Sequence, residues 1–290
     1  MFQGAMTAIV TPFKEGKVDE NALQELIELQ IKGGIKGIVP CGTTGESATL
    51  AFEEHKRVVE ITVSTVNKRA SVIAGAGSNN TEEALELAKF AKSIGADGAL
   101  LITPYYNRPT PRGLFLHYEK IAKSVDIPII IYNVPTRTGT NILPRTVCEL
   151  AKIPNIVGIK EATGDMKQAS EIIRLCGDRF TLISGDDFTI LPFLSVGGSG
   201  VISVVANIVP GLVNQLVEEF FRKNILKSKE LHYKLFPITR ALFLETNPIP
   251  VKTALSMMGK VSPELRLPLC AMTDENFGAL KLALQENGLI

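Results

Sequence analysis

Pro128-Ile129-Ile130-Ile131-Tyr132 and Ile156-Val157-Gly158-Ile159-Lys160 are the two stretches on which the fold turns. Each is short and apolar until a single polar residue closes it. Neither shows the in-out alternation of a strand with one wet face. Strands read this way when both faces are covered, as in parallel sheets. Similar runs recur outward in both directions, at Met6–Thr11, Gly37–Cys41, Val72–Gly75, Gly98–Thr103, Thr181–Ser184 and Val201–Val204. Helical patterns lie between them. Asp19 opens Glu20–Lys32, which stops at Gly33-Gly34, and Thr81-Glu82-Glu83-Ala84 starts a run to Gly95 with Leu85, Ala88 and Ala91 at core spacing.

Eight strands, each followed by a helix, predict an α/β chain built as a (β/α)₈ TIM barrel. An open doubly wound sheet is the competing architecture. It fits less well because Gly75-Ala76-Gly77-Ser78-Asn79-Asn80 lacks the third glycine of a dinucleotide-binding turn. Strand signals stop near Asn224, and Leu226–Leu244, Pro250–Met258 and Asp274–Asn287 read as helices. The expected organisation is a catalytic barrel over 1–224 and a C-terminal helical region over 225–290.

Composition narrows the function. A 290-residue chain with a formal net charge of +1 and no basic block gives no electrostatic case for a nucleic-acid partner. Met1-Phe2-Gln3-Gly4-Ala5-Met6 lacks the basic start and apolar run of a signal peptide, and no apolar run is long enough to span a bilayer. Cys41, Cys148, Cys176 and Cys270 lie far apart without a CxxC pair, which suits reduced, buried thiols. His55, His117 and His232 lack metal-ligand spacing. A cytoplasmic location without metal or membrane is expected.

Barrel chemistry sits at the C-terminal ends of the strands. Lys160 ends a strand there, and alternation aims it into the lumen; a neutral amine in that place is a nucleophile for carbonyls. The bland alternative is a lysine snorkelling to solvent. Cys41-Gly42-Thr43-Thr44-Gly45-Glu46-Ser47 can turn its backbone N–H groups onto a carboxylate and offers hydroxyls, or it is a structural turn. Tyr132 closes an aliphatic strand, with Arg137 in the following loop as a carboxylate clamp; a tyrosine can equally seal the barrel rim. Tyr105 and Tyr106 read as an interface or a pocket wall. Convergence of an amine, a phenol, a hydroxyl, an anion nest and a guanidinium at four strand ends favours an imine-forming aldolase.

These motifs, with Tyr105-Tyr106-Asn107-Arg108-Pro109, Tyr132-Asn133-Val134-Pro135, Gly158-Ile159-Lys160-Glu161-Ala162 and Asn247-Pro248-Ile249-Pro250-Val251-Lys252, carry a resemblance that runs nearly end to end. The chain resembles the dihydrodipicolinate synthase family, within the N-acetylneuraminate lyase superfamily of pyruvate-dependent class I aldolases. The resemblance implies a lyase of diaminopimelate and lysine biosynthesis. It would condense pyruvate with L-aspartate 4-semialdehyde through a Schiff base on Lys160, without metal or organic cofactor. It also implies a proton relay of Thr43, Tyr132 and Tyr106, with Tyr106 reaching a neighbouring subunit's site. Thr44 would hold the pyruvate carboxylate, Ile202 would lie near the imine, Arg137 would bind the semialdehyde carboxylate and Gly185 would line the cleft. A homotetramer made of two tight dimers is the expected assembly.

The family's lysine-binding positions correspond to Ala48, His55, Asn79, Glu83 and Tyr105. Phe52 stands where some lysine-inhibited members carry a histidine, and a lost polar partner in a buried site costs about 1–3 kcal/mol. Weak or absent lysine inhibition is therefore expected. Two other functions remain in view. A lyase for N-acetylneuraminate or a 2-keto-3-deoxy sugar acid would share Lys160 and Tyr132 but need a hydroxyl-reading pocket near Arg137. A non-catalytic barrel would tolerate damage at the lysine, tyrosine or threonine, and all three are intact.

Overall fold

The structure is a computed structural model that describes residues 2–177 and 179–290. Eight strands close into a parallel barrel: β1 Gly4–Ala8, β2 Gly37–Val39, β3 Ser71–Gly75, β4 Gly98–Ile102, β5 Ile129–Asn133, β6 Ile156–Glu161, β7 Thr181–Ser184 and β8 Gly200–Ser203. The order around it is the order of the chain, with β8 pairing β1. Helices α1 Glu20–Lys32, α2 Phe52–Val66, α3 Thr81–Ser93, α4 Pro111–Ser124, α5 Pro144–Leu150, α6 Met166–Cys176, α7 Ile190–Ser195 and α8 Pro210–Phe221 follow the strands in turn. Then come α9 Ile225–Leu242, α10 Ile249–Met257 and α11 Asp274–Glu286.

Two apolar clusters explain why the strands read as apolar throughout. In β5, Ile129 and Ile131 join the outer cluster under the helices, while Ile130 and Tyr132 join the cluster in the lumen. Period-two alternation thus supplies both cores from one strand. Phase carries over to β6, where Ile159 belongs to the outer cluster and Lys160 takes the alternate face. Caps set the helix starts: the Asp19 carboxylate accepts from Ala22 N, and the Asn80 side chain accepts from Glu82 N.

Several sequence-derived boundaries shift. The first strand runs Gly4–Ala8 instead of Met6–Thr11. Beyond Ala8 the ladder gives way to side chains: Val10 N donates to Asn207 Oδ1 at 3.1 Å, and the Thr11 hydroxyl donates to Gly45 O at 2.7 Å. The fifth strand reaches Asn133, which pairs with Glu161 across the ladder. A two-residue hairpin, Phe13–Lys14 with Lys17–Val18, is absent from the sequence reading. It turns at Glu15 and Gly16, both at positive φ, and is too short to show a period. The cysteines also need correcting: only Cys41 is buried, Cys148 and Cys176 are half-buried, and Cys270 is exposed. Among the described residues, no helix is long and apolar enough to cross a membrane.

Candidate active site

Lys160 is buried, 6% exposed, and pairs with Tyr132 on one side and Ile183 on the other. Its Nζ stands 4.2 Å from the centroid of the Tyr132 ring. Space for this side chain comes from Gly185, just past the end of β7. A Cβ there would lie 2.9 Å from Lys160 Cε and 2.7 Å from Ala162 Cβ. Ile202, fully buried in β8, belongs to the same lumen cluster as Tyr132. The structure thus brings Lys160, Tyr132, Gly185 and Ile202 to one end of the barrel.

The loop after β2 forms the next wall. Gly45 N donates to Gly42 O and Glu46 N donates to Thr43 O, which folds 42–46 into a tight turn. Thr44 is buried and its hydroxyl accepts from Asn247 Nδ2 at 3.0 Å. Thr43 is half-buried and faces a cleft of about 430 Å³ together with Arg137, Thr138 and Asn247. Lys160 and Tyr132 are not on that cleft's walls; they sit with the lumen residues. Among the described residues, neither the Thr43 hydroxyl nor the Tyr132 phenol has a hydrogen-bond partner within the chain. Both oxygens are available to a bound molecule or to a second chain.

Arg137 lies on a short helix, Pro135–Thr138, and not in an open loop. Its Nη2 donates to the carbonyl of Asn247 at 3.0 Å, which leaves donors on the guanidinium for an anion. Tyr106 is 91% exposed, with a positive φ of 67°, and projects from the loop after β4. Within one chain it does not join Thr43 and Tyr132. Ala48, His55, Glu83 and Tyr105 line the same cleft as Thr43, with Phe52 among them. Asn79 is tied to that group through Asn79 Nδ2, which donates to Tyr105 O at 3.3 Å. His55 is held by Gly75 O at 2.7 Å, and burial lowers its pKa.

The sequence reading missed a second tier of residues. Asn247 links Thr44 to Arg137, and its Oδ1 is buried without a partner. Glu46, at positive φ, accepts from Lys252 Nζ at 2.5 Å and from Arg266 N at 3.3 Å. Asp187 accepts from Ser203 Oγ at 2.5 Å and from Val204 N at 2.8 Å, fastening the end of β8 just past Ile202. Burial pushes the Asp187 carboxyl up to about 6, against those hydrogen bonds. Glu46, Asn247 and Lys252 stand inside stretches that looked distinctive. Their contacts span more than 200 residues of sequence, and no local period encodes them.

The whole chain is similar to proteins already known. The chain is 60% identical over 290 residues to the 4-hydroxy-tetrahydrodipicolinate synthase of Thermodesulfovibrio yellowstonii, covering all of both chains. A solved dihydrodipicolinate synthase structure matches with a TM-score of 0.98 at 52% identity over the full length of both chains. The enzyme of that name from Aquifex aeolicus matches with a TM-score of 0.98 at 48% identity, covering 99% of each chain. The pattern of the dihydrodipicolinate synthetase family matches residues 1–287, and the chain belongs to that family.

Proposed function

We propose that this chain is a 4-hydroxy-tetrahydrodipicolinate synthase that condenses pyruvate with L-aspartate 4-semialdehyde through an imine on Lys160. The carrying observation is a buried lysine amine over the Tyr132 ring, at a strand end where Gly185 leaves it room. The amine adds to the ketone carbon of pyruvate, and loss of water gives the imine. Removal of a methyl proton gives the enamine, whose carbon attacks the aldehyde of the semialdehyde. Its amino group then adds to the imine carbon, closes the ring and releases Lys160.

Tyr132 is the acid and base nearest that imine. Thr43 passes the proton on, and Tyr106 completes the relay from a neighbouring subunit. Exposure of Tyr106 on a strained loop supports that role. Thr44 holds the pyruvate carboxylate, and Ile202 packs beside the imine. Arg137 favours an amino-acid aldehyde over a sugar acid: its guanidinium, with one donor on the Asn247 carbonyl, keeps others for the semialdehyde carboxylate. The working unit is a tight dimer, paired into a homotetramer in the cytoplasm, and the chemistry uses no metal or organic cofactor.

Steady-state assays with pyruvate and a panel of aldehydes test this reading. Turnover with L-aspartate 4-semialdehyde, and little with N-acetylmannosamine, is expected. The reverse preference would overturn it. Phe52 on the wall of the cleft that Ala48, His55 and Glu83 line, with Lys56 Nζ 4.5 Å from its ring centroid, supports weak lysine inhibition.

A further inference from the structure

Two cysteines remote from the substrate cleft carry a separate chemistry. Cys148 lies on α5 and Cys176 is the last residue of α6, on neighbouring helices outside the barrel. Cys148 Sγ donates to the carbonyl of Leu175, the residue before Cys176, at 3.3 Å. Both residues are half-buried. Cys176 opens on a cleft of about 550 Å³ with Phe2, Ile156, Phe180 and Thr181 on its walls. Ile156 and Thr181 begin their strands, so this cleft is at the opposite end of the barrel from Lys160.

We propose that Cys148 and Cys176 form a thiol–disulfide exchange site for low-molecular-weight disulfides. The Cys148 thiolate attacks one sulfur of the small disulfide, forming a mixed disulfide and expelling one thiolate. Cys176 then loses its proton and displaces the second thiolate from Cys148. The chain gives up two hydrogens in all, and the small disulfide leaves as two thiols. Burial, and then the neighbouring Cys148, push the Cys176 thiol up to about 12. Capping Cys148 removes the second of these causes at the moment Cys176 is needed. Burial pushes the Cys41 thiol further still, which sets it apart from this chemistry. The resulting link closes a loop that contains β6 and Lys160, so it staples the catalytic strand from behind.

The test is incubation of the whole protein with oxidised glutathione, followed by non-reducing peptide mapping by mass spectrometry. A linked Cys148–Cys176 peptide is expected, lost on treatment with dithiothreitol. A rise in Tm on the order of 5 °C should accompany it, while turnover at 25 °C is unchanged. Cys148→Ser and Cys176→Ser should each lose both the link and the Tm rise. Separate glutathione caps on the two residues would overturn the proposal. So would free thiols at both while exposed Cys270 is capped, or a linked protein whose Tm does not rise.

Discussion

Two lysines in this molecule are almost wholly buried, and each sits against an aromatic ring. Lys160, in the lumen, lies 4.2 Å from the Tyr132 centroid; Lys252, on α10, lies 4.1 Å from the Phe13 centroid. What separates them is a carboxylate. Glu46 stands 2.5 Å from Lys252 Nζ, whereas among the described residues Lys160 has no carboxylate within 4 Å. Glu161, its chain neighbour, faces the other way and spends its oxygens on Asn133, Thr163 and Gln168. Burial lowers the Lys252 pKa and the Glu46 charge opposes that shift, so this pair is a fastening between the C-terminal helices and the threonine loop. The Lys252 amine is tied down by Glu46, whereas among the described residues no carboxylate holds the Lys160 amine away from a bound ketone.

The sharpest way to break this contrast is to exchange both lysines for methionine. Lys160→Met should reduce turnover by roughly 10³-fold or more, because it removes the covalent route. Its Tm should not fall, since no ion pair is lost; a destabilised protein with residual turnover would reverse the assignment. Lys252→Met should do the opposite. It leaves Glu46 buried without its cation and should cost about 3–5 kcal/mol of unfolding free energy, while pyruvate still forms an imine. The double variant Glu46→Leu with Lys252→Met should recover most of that loss in denaturant titration.

Smaller effects refine the picture. Gly185→Ala places a methyl against the Lys160 stem, and a displaced amine should lower kcat about 10²-fold. Wild-type turnover in that variant would show that Lys160 has slack. Acid offers a last comparison once His117 is accounted for. Burial holds its pKa at about 4, so between pH 6.5 and 4 the unfolded chain binds a proton there that the folded chain refuses. Its stabilising effect is full above pH 6.5 and is lost as pH falls toward 4, about 3 kcal/mol. Asp187, raised to about 6, acts with the opposite sign over the lower part of that window. It is common to wild type and His117→Gln, so the difference between their pH–stability curves isolates His117. Parallel curves would contradict the assignment.

Most of the barrel was legible because short runs that are apolar throughout, and capped helices, are local signals. Lys160, Tyr132 and the threonine turn are site candidates by the same logic, since strand ends in a barrel are where side chains converge. Tyr106 shows a limit: its loop reads as exposed, and one chain alone gives it no partner. Lys252 shows another. In sequence it is a lysine on an apolar helix, and its carboxylate is 206 residues away. Cys148 and Cys176 are 28 positions apart and read as unrelated, yet α5 and α6 set them side by side. Pairings across elements are fixed by packing, and packing leaves no period to read.

The most direct test uses the two lysines together. The protein is incubated with pyruvate, reduced with borohydride and mapped by mass spectrometry. A pyruvate-derived adduct on Lys160 and none on Lys252 is the expected result. An adduct on Lys252, or folded protein with no modified lysine, would contradict it.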